Sequence, residues 1–251
     1  MTIHLLLALF FPLIITGSVS PQSKFVMQNT SSFIDDDKII HLYGELKNNT
    51  NRTQTNIVVN ATFYDSHGKL LNEFERAIEL RTLNPGGISP FEILYTDPKT
   101  SDSVTRFELS AAGTGVELKS RELSVSSDNS RLDLYGFYYI NGKVVNKGSY
   151  TASNSMVVAT LYDKDGKVVA IGRAQTEPVN ITSQSEAAFG IAVTDKAQTH
   201  KVKRFTLIAD SDEYLTVPEF SVLSLSLLFF IVLLAAVFSS IRWYAKKNIS
   251  L

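Results

Sequence analysis

The feature that most constrains this chain is an ungapped internal repeat with a period of 98 residues. Ala61-Thr62-Phe63-Tyr64-Asp65 returns as Ala159-Thr160-Leu161-Tyr162-Asp163, and Gly68-Lys69 as Gly166-Lys167. Phe91, Ile93, Thr96 and Asp97 meet Phe189, Ile191, Thr194 and Asp195; Val104, Arg106, Phe107 and Leu109 meet Val202, Arg204, Phe205 and Leu207. The register extends backwards through Gly44, Leu46, Asn48 and Asn56, which meet Gly142, Val144, Asn146 and Asn154. A competing match of Leu42-Tyr43-Gly44 with Leu134-Tyr135-Gly136 would force a six-residue insertion, so the ungapped register is preferred. A fixed period of this length means two copies of one domain, expected at 24–112 and 122–210 with a connector over 113–121.

Each copy alternates apolar and polar residues in steps of two. Ile57, Val59, Ala61 and Phe63 share one face of a strand whose other face carries Asn60 and Thr62. Asp65-Ser66-His67-Gly68 and Asp163-Lys164-Asp165-Gly166 follow as turns, Asp through its side chain and Gly through its tolerance of positive φ. Further strands are expected at 39–47 and 137–145, 89–95 and 187–193, and 104–112 and 202–210. Six or seven strands in about 90 residues predict an all-β chain of two tandem Ig-like antiparallel β-sandwich domains.

The two ends are of another kind. Residues 1–20 have the length and layout of a secretory signal peptide: an apolar run from Leu5 to Ile15, then Thr16-Gly17-Ser18-Val19-Ser20. Its n-region has only His4 as a cationic group, and Pro21 directly follows the small residues. Phe220 to Ile241 is uncharged over 22 residues, about 33 Å as a helix, which matches a bilayer core of about 30 Å. Arg242, Lys246 and Lys247 follow, with Trp243 and Tyr244 among them, whereas Asp210, Asp212, Glu213 and Glu219 precede. This asymmetry predicts a single-pass cell-membrane protein with a juxtamembrane segment at 211–219, a transmembrane helix at 220–241 and a cytoplasmic tail at 242–251.

Setting aside Glu219 and the basic tail leaves 21 basic against 24 acidic residues, a balance with no field for nucleic acid. With no cysteine in the chain, disulfides and thiolate chemistry are excluded. His41, His67 and His200 lie at no ligand spacing from one another, and neither a nucleophile elbow nor a phosphate loop appears. No catalytic, cofactor-binding or metal-binding residue is therefore assigned. Asp163-Lys164-Asp165-Gly166 resembles the opening of a calcium loop, but Ala174 stands where the closing glutamate belongs, so a turn is expected. The run Asp35-Asp36-Asp37 is likewise read as a solvated turn.

Asn29, Asn48, Asn51, Asn60 and Asn180 head Asn-x-Ser/Thr sequons and are candidate glycosylation sites outside the membrane; Asn248 falls in the tail. Asn48 is open to a second reading as a turn-fixing residue. Phe137-Tyr138-Tyr139-Ile140 is read as a strand packed on both sides, with a Tyr-bearing binding surface as the alternative.

Gly44, Leu46, Asn48, Tyr64, Asp65, Gly68 and Phe91, repeated as Gly142, Val144, Asn146, Tyr162, Asp163, Gly166 and Phe189, resemble the FxLYD-type domain, an extracytoplasmic β-sandwich module of archaeal and bacterial envelope proteins. The Phe of that motif is replaced by Ala61 and Ala159, and the Leu by Phe63 in the first copy. This resemblance implies a fold and carries no catalytic residue. Pro218-Glu219-Phe220, placed before an apolar segment and a basic tail, is similar to archaeal PEF-type C-terminal sorting signals, which implies handling by a membrane-embedded sorting enzyme. Ser221 departs from the Gly or Pro usual there; the rival reading of the motif is an ordinary Pro-led helix start. Together these features predict a non-catalytic, surface-displayed envelope protein with a structural, adhesion or binding role. The alternative is an accessory subunit docking on a membrane enzyme or transporter.

Overall fold

The computed structural model describes residues 23–216. The expected signal peptide, the Pro218-Glu219-Phe220 motif, the segment at 220–241 and the tail lie outside the described residues. Among the described residues no helix is long and apolar enough to cross a membrane.

The described chain is all-β, interrupted only by a 3₁₀ turn at Ser101–Ser103 and a single helical turn, α1, at Lys196–Thr199. The first copy supplies β1 (Phe25–Ile34), β2 (Ile40–Asn48), β3 (Thr53–Tyr64), β4 (Leu70–Ala77), β5 (Thr82–Leu83), β6 (Ile88–Tyr95) and β7 (Arg106–Val116). The second supplies β8 (Ser120–Leu132), β9 (Tyr138–Asn146), β10 (Met156–Tyr162), β11 (Val168–Gln175), β12 (Glu186–Val193), β13 (Arg204–Asp210) and β14 (Tyr214–Thr216). The bounds of β2, β4 and β6 reappear in β9, β11 and β12 at the 98-residue offset. Strands β1 and β8 were not anticipated. Of the expected connector, only Glu117, Leu118 and Lys119 lie outside strands.

In the first copy one sheet runs β1-β2-β6, and the other has β3 at its centre, flanked by β4, β5 and β7. Leu42, Leu46, Phe91 and Ile93 from one sheet and Val59, Ala61 and Phe63 from the other are buried. Phe63 and Phe74 meet Tyr95 edge-on, at centroid separations of 4.9 and 5.3 Å. The second copy joins its strands in the order β11-β10-β13-β14-β8-β9-β12, with β14 antiparallel to β13 and parallel to β8. By packing, the chain divides into two units. The first holds the described residues up to 118 together with 161–171 and 201–204; the second holds the remainder.

One turn is used four times. Asp35, Asp65, Asp133 and Asp163 each accept on Oδ1 from the backbone N–H groups two and four residues on, at 2.8–3.0 Å. The fourth residue of each turn, Lys38, Gly68, Gly136 or Gly166, has φ between 64° and 84°. This is a hairpin turn closed by a left-handed residue, and Asp supplies the acceptor that holds its open backbone donors. The turn reading of Asp163–Gly166 and of Asp35–Asp37 therefore holds.

Candidate functional site

The residues shared by both copies are spent on architecture. Phe91 lies opposite Gly44 and Phe189 opposite Gly142. A Cβ on either glycine would come within 3 Å of the facing ring, so only Gly lets the ring close over the strand. Asn48 is fully buried; its amide donates to the carbonyls of Arg52 and Leu83, both at 2.8 Å. Asn146 does the same to Tyr150 and Ile181, at 2.8 and 2.9 Å. Each amide thus ties together the carbonyls of two segments that lie far apart in sequence, and its own buried N–H groups are satisfied in doing so. Arg106 lies 4.1 Å over the Tyr64 ring and Arg204 3.8 Å over the Tyr162 ring, a cation–π pair that repeats with the chain.

The sequons differ in how far the fold encloses them. Asn48 has its amide nitrogen engaged inside the fold, which makes it a clamp in the folded domain. Asn29, at φ 53° in a β-bulge, donates to Glu45 at 2.6 Å. Asn60 lies in the central strand β3 with its Oδ1 buried. Asn51 and Asn180 are exposed. The aromatic stretch is half-buried: Tyr138 meets Phe205 edge-on, Arg131 lies over Tyr139 and Lys196 over Phe137.

The group best suited to chemistry was missed in the sequence. His41 on β2 stands between two carboxylates, its Nδ1 3.0 Å from Glu92 on β6 and its Nε2 3.1 Å from Asp35 in the β1–β2 turn. Phe33, its cross-strand partner, stacks on the imidazole at 4.6 Å. The hydrogen bond to Glu92 raises the His41 pKa; burial opposes it and Asp35 adds to it. Asp35 is held below its usual value chiefly by the Ile39 backbone N–H. Burial pushes Glu92 up, but hydrogen bonds from His41 and Tyr43 hold it below its usual value on balance. With a carboxylate on each ring nitrogen, the protonated imidazole satisfies both partners and the neutral one can satisfy only one. The arrangement favours the protonated ring. Among the described residues no group of three His, Cys, Asp or Glu side chains is disposed to hold a metal ion.

Beside this triad the first unit contains a second polar cluster. Glu45 is 5% exposed and accepts from Tyr162 at 2.5 Å, Asn29 at 2.6 Å and Gln28 at 3.2 Å. Tyr43, Tyr162 and Val168 pack together next to it, with Phe33 and Ile171 at the edge. Asp35 with His41 is visible in sequence only once the hairpin that faces them is known, and Glu92 requires the register of β6 as well.

No family model matches the chain, and no curated protein does. Among solved structures, the exo-chitosanase CsxA of Amycolatopsis orientalis aligns at TM-score 0.26 and 11% identity over 76% of this chain and 26% of that one. Red sea bream transglutaminase aligns at TM-score 0.25 and 8% identity over 74% and 30%. A calcium-binding mutant of Bacteroides uniformis β-glucuronidase 2 aligns at TM-score 0.26 and 13% identity over 75% and 27%. The chain thus spans less than a third of the length of each, and at these scores none bears on its activity.

Proposed function

We propose that the chain is a non-catalytic, membrane-anchored protein whose two β-modules stand outside the cell and serve a structural, adhesion or binding role in the envelope. The observation that carries this reading is where the repeated polar residues go. Asn48 and Asn146, the four turn aspartates and the two Tyr–Arg pairs all stabilise local backbone or packing. What the chain duplicates is therefore form. The uncharged segment from Phe220 and the basic residues after it supply the anchor and its orientation. Pro218-Glu219-Phe220 serves as an address for a sorting enzyme, and Asn51 and Asn180 are the sequons open to a glycan.

Purification of the full chain from its native membrane in mild detergent tests the reading. A free-standing module elutes without a stoichiometric partner. A constant, stoichiometric companion would replace this function with that of an accessory subunit. Intact mass of the same material reports signal removal, glycans and any loss of the C-terminal segment.

A further inference from the structure

The four equivalent turns differ in what they show to solvent. Their two middle residues are Asp36-Asp37, Ser66-His67 and Lys164-Asp165 in three cases, and Leu134-Tyr135 in the fourth. Leu134 is fully exposed, Tyr135 is 74% exposed and the adjoining Leu132 46%. The other three turns show that this geometry needs no apolar residue at either place. Leu134 and Tyr135 thus have no role in the turn that bears them, and exposing them to water is unfavourable.

The position of this turn in the second unit suggests what covers it. β14 pairs parallel to β8, Thr216 lying opposite Leu123, so the described chain ends heading the way β8 runs toward the Leu134 turn. From Leu123 to Leu132 is nine residues, about 30 Å of strand. Only three residues separate Thr216 from Phe220, where the uncharged stretch begins; from Thr216 to Phe220 the chain reaches about 14 Å at most. A bilayer entered at Phe220 therefore stands on the turn's side of Thr216 but about 16 Å or more short of Leu132 along β8, and a sheet lying close to parallel to the membrane surface lays the turn in the interfacial layer. The side chains suit that layer: Leu for the acyl boundary and Tyr for the headgroup level. Exposed Arg131 and Lys196 flank the turn as contacts for anionic headgroups.

We propose that the β8–β9 turn is a second membrane contact, in which Leu134 and Tyr135 dip into the outer leaflet and fix the tilt of the second unit against the bilayer. This rests on the membrane-anchored reading above.

Because the chain has no cysteine, Leu134→Cys in the full-length protein gives a single attachment point for an environment-sensitive fluorophore, with Ser66→Cys and Lys164→Cys as controls on equivalent turns. The labelled proteins are reconstituted into phosphatidylcholine–phosphatidylglycerol vesicles containing shallow doxyl lipid. The expected result is quenching at 134 at least about threefold stronger than at 66 or 164. Equal, weak quenching at all three positions in protein that floats with the vesicles and resists carbonate extraction overturns the contact and leaves the anchor standing. Protein that does not float overturns both. Protection at 134 that appears in native membranes but not in pure lipid assigns the turn to a protein partner, and protection that grows with the protein-to-lipid ratio assigns it to a second copy; either overturns the lipid contact.

Discussion

Strands β2 and β9 hold the same place in the two copies, yet β2 is buried along most of its length whereas β9 alternates between buried and half-buried residues. Their core-facing residues match: Leu42, Gly44, Leu46 and Asn48 against Ile140, Gly142, Val144 and Asn146. Their outer faces do not, with His41, Tyr43 and Glu45 against Tyr139, Asn141 and Lys143. In the first unit the 161–171 hairpin lies over this outer face, burying Tyr43 and Glu45. Lys143 stays half-exposed and pairs with the exposed Glu186 at 3.0 Å. One face of the strand is dictated by the fold, and the other is free to take on what its surroundings demand.

The largest expected effect tests the shared face. A Cβ at position 142 would lie 2.0 Å from the Ser126 carbonyl oxygen as well as against Phe189, whereas at position 44 its three nearest atoms would belong to side chains, the Phe91 ring and the Thr30 methyl. Gly142→Ala should therefore cost about 3 kcal/mol, because backbone must move, and Gly44→Ala about 1–2 kcal/mol, because side chains can give. Thermal unfolding of the two variants measures the difference. Equal costs would mean that the two copies accommodate the facing Phe alike.

The next effect tests the outer face through residues 98 apart. Tyr162 donates to the buried Glu45, whereas Tyr64 reaches the exposed Glu108 at 3.3 Å. Tyr162→Phe leaves a buried carboxylate short of one donor, though Asn29 and Gln28 remain, and should cost about 1.5 kcal/mol. Tyr64→Phe should leave stability unchanged, since its hydroxyl and its partner both keep water. A denaturant titration of each separates the two; a matched loss would mean that the covering of β2 contributes nothing at this position.

The difference between the faces also explains what the sequence disclosed. Turns, core alternation and the Gly–Phe and Asn positions are local or repeat with the chain, so their signal is doubled and readable. β1 and β8 escaped because Asn29-Thr30-Ser31-Ser32 and Ser126-Ser127-Asp128-Asn129 are polar stretches interrupted by a bulge, which breaks the two-residue alternation. Asn48 had two local readings, sequon and clamp, and only the position of the Leu83 carbonyl, 35 residues away, separates them. The Asp35–His41–Glu92 triad occurs in one copy and spans three elements, so neither the repeat nor spacing could announce it.

The smallest effect belongs to that triad and is read against pH. His41 has its pKa raised in the fold, so the stability it adds is complete below its unfolded value of about 6.5 and is lost as pH rises through the folded value. Asp35 and Glu92 are lowered, so their contribution is present above their unfolded values of about 4 and fades as pH falls through the folded ones. The triad should stabilise the first unit most between about pH 4.5 and 6.5, then lose about 1 kcal/mol toward pH 9 as the imidazolium gives up its proton and one carboxylate its partner. His41→Tyr installs the residue that the second copy carries at position 139, and should remove the decline above pH 6.5. Melting curves across that range decide the matter. A wild-type protein whose stability is flat from pH 5.5 to 9, or a variant that keeps the decline, would show that the carboxylates hold His41 in place without depending on its charge.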